Sequence, residues 1–314
     1  MKMKNNNFMN HVVIGIPTYK RPLLLDKLIK SIYECNIDNN FINEVDILIV
    51  DNDKAKTAEA TTSELENNCP YNFKLHYHNY PKKGLSNVRN EIIEKANEFE
   101  PDYIVFVDDD VYVTKDWLNE LIYCMVKNNC DMAMGPYFPE FKKKVSSAIS
   151  HWFYRPPHDN DDILDFIITG NLIMCSKFLK DHQLQFDPRF NTTGAEDSYF
   201  GISVLKKEGI IRWAGNAVAY ETIPEKRTTL KWLLKRRYNG ANTYMFTMML
   251  EKCHKKIIKK LVVSFINFPL GFFCLIGLPF KFKYRYFGLL KIAEGLGGFA
   301  GLMNIKFHAY SEVA

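Results

Sequence analysis

Tyr103-Ile104-Val105-Phe106-Val107-Asp108-Asp109-Asp110 decides the fold, because a run of five apolar residues passes directly into three carboxylates. A strand this continuously apolar fits a sheet covered on both faces better than one half exposed to water. Three more runs repeat the arrangement: His11–Ile16, Val45–Val50 and Phe73–Tyr77. Between them, Pro22–Cys35, Lys54–Asn67 and Ser86–Phe99 carry apolar residues three and four apart, the spacing of a helix with one buried face. Strands alternating with helices of this length predict βαβ units and an α/β fold with a mainly parallel central sheet. Each run ends in polar residues: Pro17-Thr18-Tyr19-Lys20-Arg21, Asp51-Asn52-Asp53, His78-Asn79-Tyr80 and Asp108-Asp109-Asp110. Ligands of open α/β sheets bind at those carboxyl ends, so the chemistry is expected there.

Three adjacent carboxylates repel one another and raise each other's pKa, which a bound cation relieves. Hard ions such as Mg²⁺ or Mn²⁺ take oxygen ligands, typically one or two carboxylates together with substrate phosphates. An acidic loop that caps the next helix is the simpler alternative. Other positions also have ordinary structural roles when taken singly: Pro22 suits the first helical residue, Asp51 a turn, and Ser86 a helix N-cap. A second carboxylate pair, Glu196-Asp197, precedes the helical run Ser198–Lys207, where acidic residues also suit the positive end of a helix.

In this order, the opening IGIPTYKRP, the strand end IVDN, the segment GLSNVRN, VFVDDD, Thr169-Gly170-Asn171 and Gly194-Ala195-Glu196-Asp197 resemble the family 2 glycosyltransferases. The resemblance covers about residues 11–240. It implies a GT-A type nucleotide-sugar-binding fold and a reaction that inverts the anomeric centre. By the resemblance, Pro17, Thr18, Tyr19, Arg21 and Gly84 line the donor pocket, and Asp51 accepts a hydrogen bond from the base. Arg89 faces the base or the phosphates. Asp108 and Asp110 are the outer carboxylates of the family's D-x-D, the first near the nucleotide and both available to a Mg²⁺ or Mn²⁺ ion, while Asp109 reaches toward the sugar. Asp197 is the general base, with Glu196 more structural, and Thr169, Gly170 and Asn171 lie on the acceptor side. The implied partners are a nucleotide-sugar donor and a saccharide or lipid-linked acceptor.

Two family features are absent. The chain has Ala219-Tyr220-Glu221-Thr222 where many members have a histidine, and no Q-x-x-R-W, only Lys235-Arg236-Arg237-Tyr238, so transfer of single sugars is expected over processive synthesis. Arg236 and Arg237 approach the diphosphate or lipid head groups, or form a solvated helix face. Three rivals are weaker. A haloacid-dehalogenase-type phosphatase needs Thr or Val where Tyr112 stands. A metal-dependent nucleotidyltransferase leaves the acidic pair and the T-G-N segment without purpose. A non-catalytic membrane-docked scaffold has no need of Asp108, Asp110 and Asp197.

The 314 residues are 47% hydrophobic, 25% charged and 14% aromatic, which excludes a disordered or linker-like chain. Seven scattered cysteines form no C-x-x-C pair and suit a reducing compartment. The net charge of +5 is the sum of unlike parts: residues 226–291 carry 15 Lys and Arg against Glu251 alone, +14, and the remainder is −9. Such asymmetry points to an anionic membrane surface for one segment, while the acidic remainder argues against nucleic acid. Leu261–Phe280 is free of charge, interrupted by Pro269, Gly271, Gly277 and Pro279, and flanked by Lys255, Lys256, Lys259 and Lys260 before and Lys281, Lys283 and Arg285 after. Basic residues on both sides fit a segment that lies on the membrane surface or dips into the cytoplasmic leaflet and returns, in preference to a single span with one basic side or to a buried core helix or oligomer contact of a soluble chain. The polar start has no apolar core of a secretory signal, so export is not expected. The expected organisation is a polar tail over 1–10, a nucleotide-sugar-binding half over 11–130, an acceptor-binding half over 131–227 with a small basic loop at Lys142-Lys143-Lys144, and a helical, membrane-associated region over 228–314.

Overall fold

The computed structural model describes residues 10–154, 158–276 and 282–308. Residues 1–9, 155–157, 277–281 with Pro279, and 309–314 lie outside the described residues, as do the side chains of Lys283 and Arg285.

The elements run β1 (Asn10–Thr18), α1 (Pro22–Tyr33), β2 (Ile42–Asp51), α2 (Glu59–Asn67), β3 (Lys74–Asn79), α3 (Leu85–Asn97) and β4 (Tyr103–Val107). Then come β5 (Val111–Val113), α4 (Trp117–Asn128), β6 (Met132–Met134), β7 (Tyr137–Phe141), α5 (Ser147–Ser150), β8 (Asn171–Cys175) and α6 (Ser176–Asp181). The chain closes with α7 (Glu196–Lys206), β9 (Ile211–Trp213), β10 (Ala219–Ile223), α8 (Leu230–Leu250), α9 (His254–Ile276) and α10 (Phe282–Leu302).

Seven strands form one sheet in the order β3-β2-β1-β4-β8-β6-β9. Neighbouring strands of this sheet run parallel except at β8, which runs against both β4 and β6. The α/β fold with a mostly parallel sheet is therefore as expected. Alternate residues of β1, β2 and β4 enter two separate cores. Val12, Ile14, Val45, Ile47 and Val105 pack with α1 and α4 residues such as Leu28, Trp117 and Leu121. Val13, Leu48, Ile104 and Phe106 pack with Val88 and Ile92 of α3 and with Phe186 and Phe200. Both faces are covered, which is why these strands show no polar alternation. A small sheet ordered β5-β10-β7 follows the acidic turn after β4.

Two local expectations change. The helix expected from Lys54 starts at Glu59, because the backbone N–H groups of Asp53 and Ala58 bond to the Asp51 carboxylate and hold the intervening residues in a loop. Ser86 is not the N-cap of α3: Gly84 takes that position at φ 121°, a conformation that favours glycine, and the Ser86 hydroxyl donates instead to the Asp187 carbonyl at 2.7 Å.

The chain separates into two compact units. The first comprises described residues within 1–140, 156–188 and 196–222 and contains the seven-stranded sheet; the second comprises those within 141–155, 189–195 and 223–314. In the second unit, α8 is capped by the Thr229 hydroxyl, which accepts from the Trp232 N–H at 3.3 Å. α9 continues through Pro269, where an interruption was expected, and α10 packs back along it. Gly271 lies beside Gly288 and Ile292 while Gly295 lies beside Ser264, so the two helices run in opposite directions. A Cβ on Gly271 would stand 2.7 Å from the Gly288 carbonyl oxygen, so the backbones meet at a separation no larger residue permits.

Candidate active site

Arg21, Arg89, the three aspartates after β4 and the Glu196-Asp197 pair all belong to the first unit. β1 ends at Thr18 and Pro22 opens α1, with Arg21 at the N-cap; the three residues between the strand and Pro22 turn the chain at the sheet's carboxyl edge. The Thr18 hydroxyl donates to Asp109 Oδ2 at 2.9 Å, and Arg21 donates to Asp109 Oδ1 at 2.8 Å and Asp110 Oδ2 at 3.2 Å. Burial opposes the Arg21 charge, but the carboxylates of Asp109, Asp110 and Asp108 outweigh it and raise its pKa. Burial pushes Asp109 the other way, up to about 6, helped by Asp110 and opposed by Arg21 and Thr18. Asp109 thus braces the end of β1 from inside, and its side chain is not extended toward solvent as a sugar contact requires. Pro17 at the end of β1 and Tyr19 on the turn are half-buried, and Lys20 lies 4.9 Å from the centre of the Tyr19 ring.

Asp108 differs from its two neighbours, with a side chain 39% exposed. Gly170 stands next to it: a Cβ there would lie 3.2 Å from Asp108 Oδ2, so glycine leaves that oxygen room. On the other side, Arg89 of α3 reaches Asp108 Oδ1 at 3.5 Å and pairs closely with Glu196 Oε1. The guanidinium is only 8% exposed. Burial works against its charge, and Glu196, Asp108 and Asp197 together raise its pKa above the ordinary value. Burial pushes the Glu196 carboxyl up against the pull of Arg89. Arg89 therefore lies between carboxylates inside the protein, where the sequence led to a base or phosphate contact.

Two further side chains of the GLSNVRN segment explain how Arg89 is held. Asn90 exchanges hydrogen bonds with the Phe186 backbone, donating to its carbonyl at 2.8 Å and accepting from its N–H at 2.7 Å. With the Ser86 bond to Asp187, this fastens α3 to the chain ten residues before Glu196. Gly194 and Ala195 both adopt positive φ, 76° and 70°, immediately before α7 begins at Glu196. Asp197 is half-buried, and its Oδ1 accepts from the Ser198 N–H at 2.6 Å.

Three expected ligand residues are internal. Asp51 is 0% exposed; it accepts from the N–H groups of Asp53 and Ala58 at 2.9 and 3.0 Å and from the Tyr77 hydroxyl at 3.0 Å. Asn171 accepts from Trp117 Nε1 at 2.7 Å and donates to the carbonyls of Pro136 and Ala217 at 3.0 and 2.8 Å, and Thr169 is buried beside it in sequence. These residues shape the loops at the strand ends and present no surface to a ligand. In the second unit Arg237 lies 4.0 Å over the Trp152 ring, and burial lowers its pKa.

A cluster not anticipated from the sequence occupies the amino end of the sheet. His11, Glu44 and Asp46 offer ligand atoms within 4.8 Å of one another. Asp46 already bonds to His11 Nε2 at 2.6 Å and to His76 Nε2 at 2.5 Å, and Glu44 pairs with Lys74, so the group is closed on itself as an ion-pair cluster. Its signal was the spacing of Glu44 and Asp46 on β2 and of Lys74 and His76 on β3 at alternate positions, with Lys74 directly opposite Asp46.

Residues 13–182, just over half of the chain, match the family described as Glycosyl transferase family 2. The chain belongs to that family and is a glycosyltransferase. It is 27% identical over 253 residues to the succinoglycan biosynthesis protein ExoM of Rhizobium meliloti (strain 1021), covering 78% of this chain and 77% of ExoM. Among solved structures, residues 1–349 of S. aureus TarS in complex with UDP-GlcNAc align over 94% of this chain and 92% of that one, at 15% identity and a TM-score of 0.56. A longer TarS chain is spanned over only 46% of its length. The mannosyltransferase PcManGT of Pyrobaculum calidifontis, in complex with GDP-Man and Mn²⁺, aligns over 95% and 88% at 12% identity and a TM-score of 0.64. At these identities the solved structures speak for the fold, which is the GT-A-like one expected.

Proposed function

We propose that this glycosyltransferase moves a sugar from a nucleotide-sugar donor to a hydroxyl of a saccharide or lipid-linked acceptor in cell-surface polysaccharide synthesis, with inversion and with a divalent cation. The observation that carries the reading is Arg89, whose buried guanidinium joins the partly exposed Asp108 at the end of β4 to the buried Glu196 at the start of α7. Asp197, next in the chain, is the general base in this reading, and a base opposite the leaving diphosphate inverts the anomeric carbon. Glu196 is a positioning residue, because its carboxylate is committed to Arg89.

Asp108 and Asp110 would hold the cation. They offer only oxygen, the donor type Mg²⁺ and Mn²⁺ take, and the exposed side of Asp108 suits a ligand approaching from solvent. When bound, such an ion offsets the charge that builds on the departing nucleoside diphosphate. Arg21 keeps Asp110 paired, and with Thr18 it fixes the end of β1 and the turn after it, from which Pro17 and Tyr19 face the donor in this reading. The polysaccharide setting of ExoM and the UDP-GlcNAc and GDP-Man complexes of the two neighbours support the donor class. Helix α9 contains a stretch, His254–Leu275, long and apolar enough to cross a membrane, and with its basic flanks it supports work at the cytoplasmic side of an anionic membrane.

The test is hydrolysis of a panel of nucleotide sugars with Mg²⁺ or Mn²⁺, comparing wild type with Asp110→Ala and Asp197→Asn. The proposal requires one donor to be turned over by wild type and lost in both variants, with the released or transferred sugar inverted by NMR. A wild type no faster than both variants on every donor, with nucleotide still bound, sinks it.

A further inference from the structure

Helix α9 is polarised opposite to a helix of a water-soluble bundle. Ser264, Asn267, Gly271 and Cys274 face inward, and Ser264 Oγ and Asn267 Nδ2 are buried without a hydrogen-bond partner among the described residues. The outer face carries Ile258, Val262, Phe265, Ile266, Leu270 and Phe273, all exposed, with Phe265 at 72% and Phe273 at 69%. Their spacing follows one side of a 3.6-residue period, so they form a single stripe about 22 Å long at the helical rise. Water is a poor solvent for such a stripe, and exposed patches of this kind mark interaction sites.

Charge selects the occupant. Lys255, Lys256 and Lys259 are exposed at the amino end of the stripe, and the sequence places Lys281, Lys283 and Arg285 just beyond its other end. A helix crossing the bilayer, or one dipping tip-first into it, carries that second cluster into or through hydrocarbon, where Lys and Arg are costly. Because α10 lies along α9, it would bring Lys291 and Glu294 as well, the latter paired with Lys260 of α9 at 3.0 Å. A helix lying flat meets neither cost: the exposed lysines at its amino end rest among anionic head groups while the stripe beside them enters the acyl boundary.

We infer that α9 docks in the plane of an anionic phospholipid surface, through the Ile258–Phe273 stripe and the lysines at its amino end. The inference rests on the membrane reading above and deepens it by choosing an interfacial helix over the dip that the sequence left as its alternative. α10 then serves as the backing that holds the small, polar face of α9 away from lipid.

Co-sedimentation of the full chain with vesicles of phosphatidylcholine alone, or mixed with phosphatidylglycerol, tests it. Strong binding is expected only with phosphatidylglycerol, with bound protein released by alkaline carbonate. Phe265→Ser with Phe273→Ser should weaken binding at least about tenfold, and Lys255→Glu with Lys259→Glu about fivefold per lysine at low salt. Circular dichroism and donor hydrolysis of these variants in vesicle-free solution should match wild type, which separates loss of docking from loss of fold. Failure of wild type to bind, equal binding by the variants, or a dimer in solution that covers the stripe overturns the inference. So does retention in carbonate, which marks a helix embedded across the bilayer. Absence of donor hydrolysis alongside intact vesicle binding counts against the proposed reaction and leaves the docking standing.

Discussion

Arg89 and Glu196, 107 residues apart in the chain, form an ion pair inside the protein, with the same guanidinium turned on its other side toward Asp108. Taking both charges out of water is expensive, and the pair recovers that cost only while it is intact. Either Arg89→Ala or Glu196→Ala should therefore lose about 3–5 kcal/mol, because each leaves an uncompensated buried charge. Replacing both, as Arg89→Met with Glu196→Leu, should cost clearly less than the sum of the single changes. Urea midpoints of the four proteins check this, and additive losses would show that the two side chains are not energetically coupled.

Asp197→Asn keeps the size and the hydrogen bond to the Ser198 N–H but removes the capacity to take a proton. A loss of about 10²–10⁴ in kcat is expected, the usual contribution of a positioned base, with donor affinity changed little. Steady-state kinetics with a saturating acceptor and calorimetric titration of the donor nucleotide measure the two separately. A variant whose whole defect lies in nucleotide binding would take the base role away from Asp197.

Asn171 satisfies three buried groups at once: the Trp117 indole N–H and the carbonyls of Pro136 and Ala217. Asn171→Ala leaves them without that partner in the interior, at about 1–3 kcal/mol for each group that finds no substitute. A loss of about 3 kcal/mol is expected, together with a shift in fluorescence as Trp117 loses its acceptor. Denaturation followed at the tryptophan band measures both. Unchanged stability would mean that water replaces the amide.

At the amino end of the sheet, burial would raise the Asp46 pKa, but hydrogen bonds from His76 and His11 outweigh it and hold the carboxyl below its ordinary value of 3.8. The unfolded chain then takes up the proton at higher pH than the folded one. Stability from this group is complete above 3.8 and drains away as pH falls through the lower folded value. Asp46→Asn should lower stability at neutral pH and flatten its fall below about pH 4. Urea midpoints collected from neutral pH downward give the slope, and parallel curves for the two proteins would place the acid sensitivity elsewhere.

The strands and helices of the first unit were legible because local pattern and tertiary packing agree there. VVIGI, ILIV and YIVFV read as strands covered on both faces, and Val12 and Val13 do enter opposite cores. The carboxyl-edge placement of Thr18, Arg21 and the three aspartates was legible for the same reason. Which way each side chain turns was not. Arg89 belongs to α3, and only the fold brings Glu196 near enough to claim it. Asp109 and Asp108 are adjacent in sequence, yet one faces the end of β1 and the other faces Gly170, a distinction set by the turn geometry. Pro269 reads as a breaker, but α9 tolerates it because packing along α10 supports the helix on either side. The His11, Asp46 and His76 cluster depends on strand register, which composition does not encode.

The bonds made by Asp51 bear on how such an enzyme can be re-engineered. Its carboxylate staples the Asp53–Ala58 loop to β2 and to Tyr77, so substitution there dismantles a loop at the carboxyl edge of the sheet without retuning it. A library aimed at new donor preference does better to leave Asp51 and Asn171 fixed as tooling and to vary the turn residues they hold in place. The most recognisable letters of the signature are then the scaffold of the mould, and the casting surface lies beside them.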